Sequence, residues 1–137
     1  MNKLIIYTDG GARGNPGPAA IGAVICDEKG TELSRISEYI GQTTNNQAEY
    51  KALITALENA LKLESKDIIC HLDSELVVRQ LQGKYKVREE GLKPLASEVL
   101  RLTAKFDQVK FVHVPREKNK LADELVNKVL DAKESIR

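Results

Sequence analysis

Three short, strand-like runs follow one another before any helical pattern begins, and that order limits the fold more than any other feature of the chain. KLIIYT, AIGAVICD and ELSRISEYI, residues 3–8, 20–27 and 32–40, are short segments rich in apolar and β-branched residues that read as strands. A glycine- and proline-rich stretch joins the first two, and DEKGT joins the second to the third as a hairpin connection. From there helices and strands take turns. Helices are predicted over 45–62, 75–82, 91–105 and 119–132, and strands over 67–72 and 108–114. The order implies an α/β fold with a mixed sheet: an antiparallel meander, then parallel strands added through helical crossovers.

A chain of 137 residues is expected to form one domain, 1–137, with its own core. Its 42% apolar and 30% charged residues, without repeats or low-complexity tracts, fit a globular protein. The N-terminal apolar run is too short for a signal peptide or a membrane span, so the expectation is a cytoplasmic protein with no membrane association. Cys26 and Cys70 are too few for a disulfide framework or a zinc site and read as core thiols. The net charge of +1 excludes a generally basic nucleic-acid binder. Basic side chains do gather at Arg79, Lys84, Lys86, Arg88 and Lys93, and again at Lys110, Arg116, Lys118 and Lys120. Such clusters are solvated faces unless something nearby binds a polyanion.

Asp9 ends the first apolar run and is followed by GGARGNPGP. The glycines miss the G-x-G-x-x-G spacing and precede a strand instead of a helix, and no Gly-Lys-Ser/Thr ending is present, so a dinucleotide or P-loop site is excluded. Asp9 therefore either bonds its own turn or serves a site at the sheet's rim. Thr44-Asn45-Asn46-Gln47 fits a capping box, Thr44 as N-cap and Gln47 reaching back to it. On the helix that follows, Glu49 falls on the same arc as Ala52, Leu53, Ala56, Leu57 and Ala60, facing the sheet. A carboxylate buried there needs a cation, a donor or a function.

Asp73 directly follows the apolar run DIICHL and opens the helix SELVVRQL, so it is an N-terminal cap or a second acid at the strand edge beside Asp9. Asp123, near the start of the last helix, borders the stripe of Val126 and Leu130, where it either complements the helix dipole or joins the other acids. Four carboxylates, Asp9, Glu49, Asp73 and Asp123, can thus meet at one rim. Their repulsion calls for a cation among them. Oxygen ligands without histidine or thiolate suit a hard ion such as Mg²⁺, and four acids suffice for a pair of ions of the kind that cleaves phosphodiesters.

The motifs YTDGGARGNPGPAAIG, TTNNQAEYKAL, LDSELVVRQL and NKLADELVNK, in this order and spacing, resemble the type 1 ribonucleases H over essentially the whole chain. The resemblance implies a ribonuclease H-like fold: a five-stranded mixed sheet of order 3-2-1-4-5 flanked by helices. It implies an endonuclease that cuts the RNA strand of RNA/DNA hybrids, leaving 5′-phosphate and 3′-hydroxyl ends, with two Mg²⁺ or Mn²⁺ ions held by Asp9, Glu49, Asp73 and Asp123. It also assigns hybrid contacts to Gly11, Ala12, Arg13, Asn15, Thr44, Asn45, Gln47 and Ser74. The contacts of Ala12 and Arg13 would come from their backbone, and Thr44 would meet a phosphate of the DNA strand.

Two departures from the family pattern stand out. Larger bacterial members carry a basic helical protrusion and tryptophans; this chain has no Trp and only GKYKVREEG at that place. Many members also hold a mobile histidine in the loop before the last acid, whereas VPREKNKLAD has none. His113 belongs to the end of a strand, and Arg116 is the expected substitute for the histidine's electrostatic part, as a phosphate ligand. No protein partner is implied, and a monomer is the default. Two further readings stay open: a hybrid-binding module without turnover, and a relative that acts on double-stranded RNA, whose A-form shape and 2′-hydroxyls are similar.

Overall fold

The computed structural model describes residues 3–135. Three antiparallel strands come first, β1 (Leu4–Ala12), β2 (Gly17–Asp27) and β3 (Glu32–Thr43). They are followed by α1 (Asn45–Leu61), β4 (Asp67–Leu72), α2 (Glu75–Leu81), α3 (Lys93–Thr103), β5 (Gln108–His113), a single 3₁₀ turn (Arg116–Lys118) and α4 (Lys120–Ser135). The five strands form one sheet of order β3-β2-β1-β4-β5. β1 pairs antiparallel with β2 and parallel with β4, and β4 pairs parallel with β5. This is the mixed sheet expected from the order of elements.

Strand alternation decides which helix lies where. Leu4 and Ile6 of β1 meet Ile68, Cys70 and Leu72 of β4 in the main core, under Tyr50, Leu53 and Leu57 of α1 and Val99 and Leu102 of α3. Each fully buried leucine or isoleucine there contributes about 1.5–3 kcal/mol over an exposed one. The Tyr50 hydroxyl donates to Gln80 Oε1 at 2.7 Å, joining α1 to α2 without leaving a buried polar group unmet. The other face is covered by α4, whose Val126 and Leu130 pack on Ala20 of β2. Two glycines make these approaches possible. A β-carbon on Gly10 would overlap the Ala48 backbone in the first turns of α1, and one on Gly22 would run into the Ala122 carbonyl of α4.

Several expectations need correction. β1 continues through Asp9 to Ala12, and β2 begins at Gly17, so the glycine-rich stretch is mostly ladder: Asp9 pairs with Gly22 and Ala12 with Ala19. Glycine is a poor strand former when side chains decide, but the antiparallel partner supplies a ladder that the sequence pattern does not reveal. β3 likewise runs on to Thr43, continuing its pairing with β2 as far as Gly17. Thr44 caps α1, accepting from the Gln47 N–H at 3.2 Å, yet the Gln47 side chain meets the Thr43 hydroxyl and does not reach back. Only half of the capping box forms. α3 starts at Lys93, with Pro94 in its first turn. Cys70 is a core thiol, whereas Cys26 is half-buried at the end of β2. His71 is also half-buried, its ring 4.8 Å from that of Tyr7. Among the described residues no helix is long and apolar enough to cross a membrane.

Candidate active site

Between Thr8 and Ala12 the central strand changes partners. Pairing of β1 with β4 stops at Thr8–Leu72, while pairing with β2 goes on to Ala12–Ala19. The backbone groups of β1 that would have met a longer β4 must find other partners or remain unmet. Side chains provide them. The Asn119 amide donates to the Thr8 carbonyl at 2.8 Å, the Gly10 N–H donates to Glu49 Oε1 at 2.8 Å, and the Ala12 N–H donates to Asn45 Oδ1 at 2.8 Å. Asn45 and Glu49 are one helical turn apart, a rise of about 6 Å, and Gly10 and Ala12 are two strand residues apart, about 6.6 Å. One face of α1 therefore continues the ladder that β4 abandons.

The break in the sheet is where the acids meet. Oxygen atoms of Asp9, Glu49 and Asp73 lie within 4.8 Å of one another. Asp9 and Glu49 are buried, and Asp73 is half-buried at the end of β4. Asp123 stands outside this trio but lines the same cavity, of about 490 Å³, from the first turn of α4. Its neighbour Glu124 faces solvent.

Electrostatics set this cluster apart from ordinary surface acids. Burial pushes the Asp9 carboxyl up to about 7; a hydrogen bond with Glu49 opposes the rise, and Asp73 and Asp123 add to it. Burial also holds Glu49 well above the usual carboxylate range, reinforced by Asp9 and opposed by the Gly10 N–H. Glu49 Oε2 is buried without a partner. Among the described residues no ion pair involves any of the four acids. An orphaned carboxylate oxygen beside two more carboxylates, all oxygen donors, fits a hard divalent ion that also keeps waters and takes phosphate oxygens.

The remaining predicted contacts divide into two groups. Gly11, Ala12, Arg13, Asn45, Ser74 and Arg116 line the cavity; Asn15, Thr44 and Gln47 do not. Asn15 stands behind Asn45, its Oδ1 accepting from the Asn45 N–H at 2.9 Å. Gln47 is turned toward Thr43 and packs below Gly91. The Ala12 and Arg13 N–H groups are already engaged, with Asn45 and with the Pro18 carbonyl. The Arg13 guanidinium pairs with Asp131 at 2.7 Å and Glu134 at 2.8 Å on α4. Ser74 caps α2, accepting from the Val77 N–H at 3.3 Å. His113 is exposed at the end of β5 and outside the cavity, whereas Arg116, in the 3₁₀ turn, lies on its rim.

Sequence reasoning missed Asn119 as a site residue, placing it only at the start of the last helix. It is 1% exposed, and beyond Thr8 it also donates to Asp73 Oδ2 at 3.2 Å. An asparagine before a helix reads as a cap from sequence. Only the 3₁₀ turn ahead of it, which the sequence reading did not contain, turns its side chain inward.

Comparison with known proteins agrees with this geometry. The family model described as reverse transcriptase-like matches residues 7–129. A ribonuclease HI of Halobacterium salinarum is 43% identical over 129 residues, which are 94% of this chain and 65% of that protein. A bifunctional protein of Mycobacterium tuberculosis is 41% identical over 131 residues, 95% of this chain; the chain spans 36% of that relative's length. The crystal structure of LC11-RNase H1 in complex with an RNA/DNA hybrid superposes with a TM-score of 0.90 at 52% identity, covering 95% of this chain and 98% of that one. A mixed sheet of order 3-2-1-4-5 with acids converging where β1 and β4 part defines the ribonuclease H-like class. Within that class, the chain belongs to the type 1 ribonuclease H family.

Proposed function

We propose that this chain is an endonuclease that hydrolyses the RNA strand of RNA/DNA hybrids in the cytoplasm. The observation that carries the reading is the trio of Asp9, Glu49 and Asp73, with oxygens within 4.8 Å and two members buried. Asp9, Glu49, Asp73 and Asp123 would hold two divalent ions, Mg²⁺ or Mn²⁺, at the break in the sheet. Ions bound there would supply a water of lowered pKa and positive charge for the leaving 3′ oxygen, giving 5′-phosphate and 3′-hydroxyl ends.

The protein's own part is positioning and charge. Glu49 is anchored by the Gly10 N–H, so its second oxygen is left for a cation. Asn45 uses its carbonyl oxygen on Ala12, which leaves its amide N–H₂ as the donor that would meet a ribose 2′-hydroxyl, the group that separates RNA from DNA. Gly11 presents backbone without a side chain on the same rim, and Ser74 offers a hydroxyl there. Arg116 would take a phosphate, a role that its planar guanidinium suits. A hybrid bound by a LC11-RNase H1 of the same fold supports this choice of substrate.

The test is cleavage of an end-labelled RNA strand annealed to DNA, in Mg²⁺ and in Mn²⁺, for the parent and Asp73→Asn, with double-stranded RNA and duplex DNA alongside. Metal-dependent cutting of the hybrid's RNA, lost in the folded variant, is expected. Intact binding without cutting under either metal would make the protein a reader of hybrids, and equal cutting of double-stranded RNA would widen the substrate class.

A further inference from the structure

Asn119 touches the framework of three of the four acids. Its side-chain amide donates to the Thr8 carbonyl, at the peptide that leads into Asp9, and to Asp73 Oδ2. Its own carbonyl accepts from the Asp123 N–H at 3.1 Å, in the first turn of α4. No other side chain among the described residues is hydrogen-bonded to the Asp73 carboxylate. Asp73 follows the last residue of β4, where the ladder with β1 has already ended, so nothing else in the backbone fixes where its carboxylate points.

The geometry points to Asn119 as a positioning residue of the active site: it ties the carboxylate of Asp73 to the backbone of Asp9's strand and sets the origin of the helix that carries Asp123. An asparagine amide suits this role in charge as well as in shape. It presents donors to a carbonyl and a carboxylate without adding positive charge that would compete with a metal ion. Lysine or arginine at this place would neutralise Asp73 and oppose the ion; alanine would leave both acceptors unmet. Asn119 Oδ1 is itself buried and unpartnered, so the residue tolerates an unmet acceptor in order to aim its donors. Such a residue acts through the ligands and does not meet the substrate. Groups that orient ligands in this way typically change metal affinity or turnover by about 10–100-fold when removed.

The inference rests on the reading of the site as a metal-dependent hybrid nuclease, and its test separates the two. Asn119→Ala removes the donors; Asn119→Asp keeps the shape but replaces the donors by an acid. Both are compared with the parent, with Asp73→Asn and with Val99→Ala, a core variant in α3 that serves as the control for simple destabilisation. Mn²⁺ affinity is measured by calorimetry without substrate, kcat and KM with the hybrid, and Tm for every protein.

Asn119→Ala is expected to bind Mn²⁺ at least about tenfold more weakly, and both variants to lose kcat about 10–100-fold, with KM within twofold of the parent. Val99→Ala should lower Tm and change neither quantity. A second measurement needs no variant: in the ¹⁵N-labelled parent, Mg²⁺ should shift the Asn119 side-chain amide pair. The inference is overturned if a folded Asn119 variant keeps the parent's Mn²⁺ affinity and kcat, if Val99→Ala at the same Tm loss reproduces the defects, or if the amide pair ignores Mg²⁺. A parent that neither binds Mn²⁺ nor cuts the hybrid would instead overturn the reading of the site itself.

Discussion

Gly10 lies so close beneath Ala48 that any β-carbon placed on it would overlap the Ala48 backbone. The absence of a side chain lets the first turns of α1 come down onto β1, and this contact brings Glu49 within 2.8 Å of the Gly10 N–H. One missing methyl group thus joins packing to the acid cluster. Gly10→Ala should force α1 away from the strand, costing about 1–3 kcal/mol by overpacking. Cleavage should fall by more than the loss of folded protein accounts for. Thermal melts and single-turnover cleavage at a temperature where the variant is fully folded would check both parts.

Glu49→Gln should raise the stability of the metal-free protein while abolishing cleavage. Burial and the neighbouring Asp9 make the ionised form of Glu49 unfavourable, so a neutral isostere removes that strain. The Gly10 N–H can still donate to the amide oxygen. Melting in EDTA, beside the hybrid assay, would show the two effects moving in opposite directions; a lower Tm than the parent would contradict this account.

The pH dependence follows from Asp9. Its folded-state value of about 7 lies above the usual 3.8, so the folded protein binds this proton more tightly than the unfolded chain does. Without metal, stability contributed by the proton is present below pH 4 and is lost as pH rises through about 7. The full effect of such a shift is at most about 4 kcal/mol. Divalent ions should cancel the loss, because they bind the deprotonated cluster, and their affinity should rise over the same interval. Urea denaturation from pH 5 to 8.5, in EDTA and in Mg²⁺, would reveal this as a divergence that grows with pH.

Arg13 and Arg116 line the same cavity and should behave differently in salt. Arg13 is held by Asp131 and Glu134, whereas Arg116 has no ion-pair partner among the described residues. Replacing Arg116 by Ala should weaken hybrid binding and reduce the slope of log affinity against log salt by roughly one contact's worth. Arg13→Ala should leave that slope close to the parent's and cost little stability, as exposed pairs do. Fluorescence anisotropy with a labelled hybrid across a salt series, with the metal omitted to prevent cutting, distinguishes the two.

Much of this arrangement could be read from residue order. The apolar run LIIY, the inward arc of Glu49 with Ala52 and Leu53, and the placement of Asp73 after DIICHL are local patterns, and the elements they predict are present. The misreadings share a cause in partners distant along the chain. Gly10 and Gly11 look like loop until Ile21 and Ala20 are placed opposite them. Gln47 fits a capping box until Thr43 and Gly91 are near enough to hold its side chain elsewhere. Asn119 carries only the local mark of a helix cap, because the partner at which its amide is aimed, Thr8, is 111 residues away in the chain.

The handover from β4 to the side chains of α1 has one more consequence. Asp9 and the rim at Ala12 ride on the same unbroken strand, three residues apart, so the distance from the acid cluster to the edge of the cavity is about 10 Å and is fixed like a mark on a ruler. Inserting one residue between them would turn every following side chain to the opposite face and take Ala12 out of step with Asn45. A change of length that keeps this spacing would have to fall in the turn beyond Ala12, where the rim could be reshaped without moving Asp9.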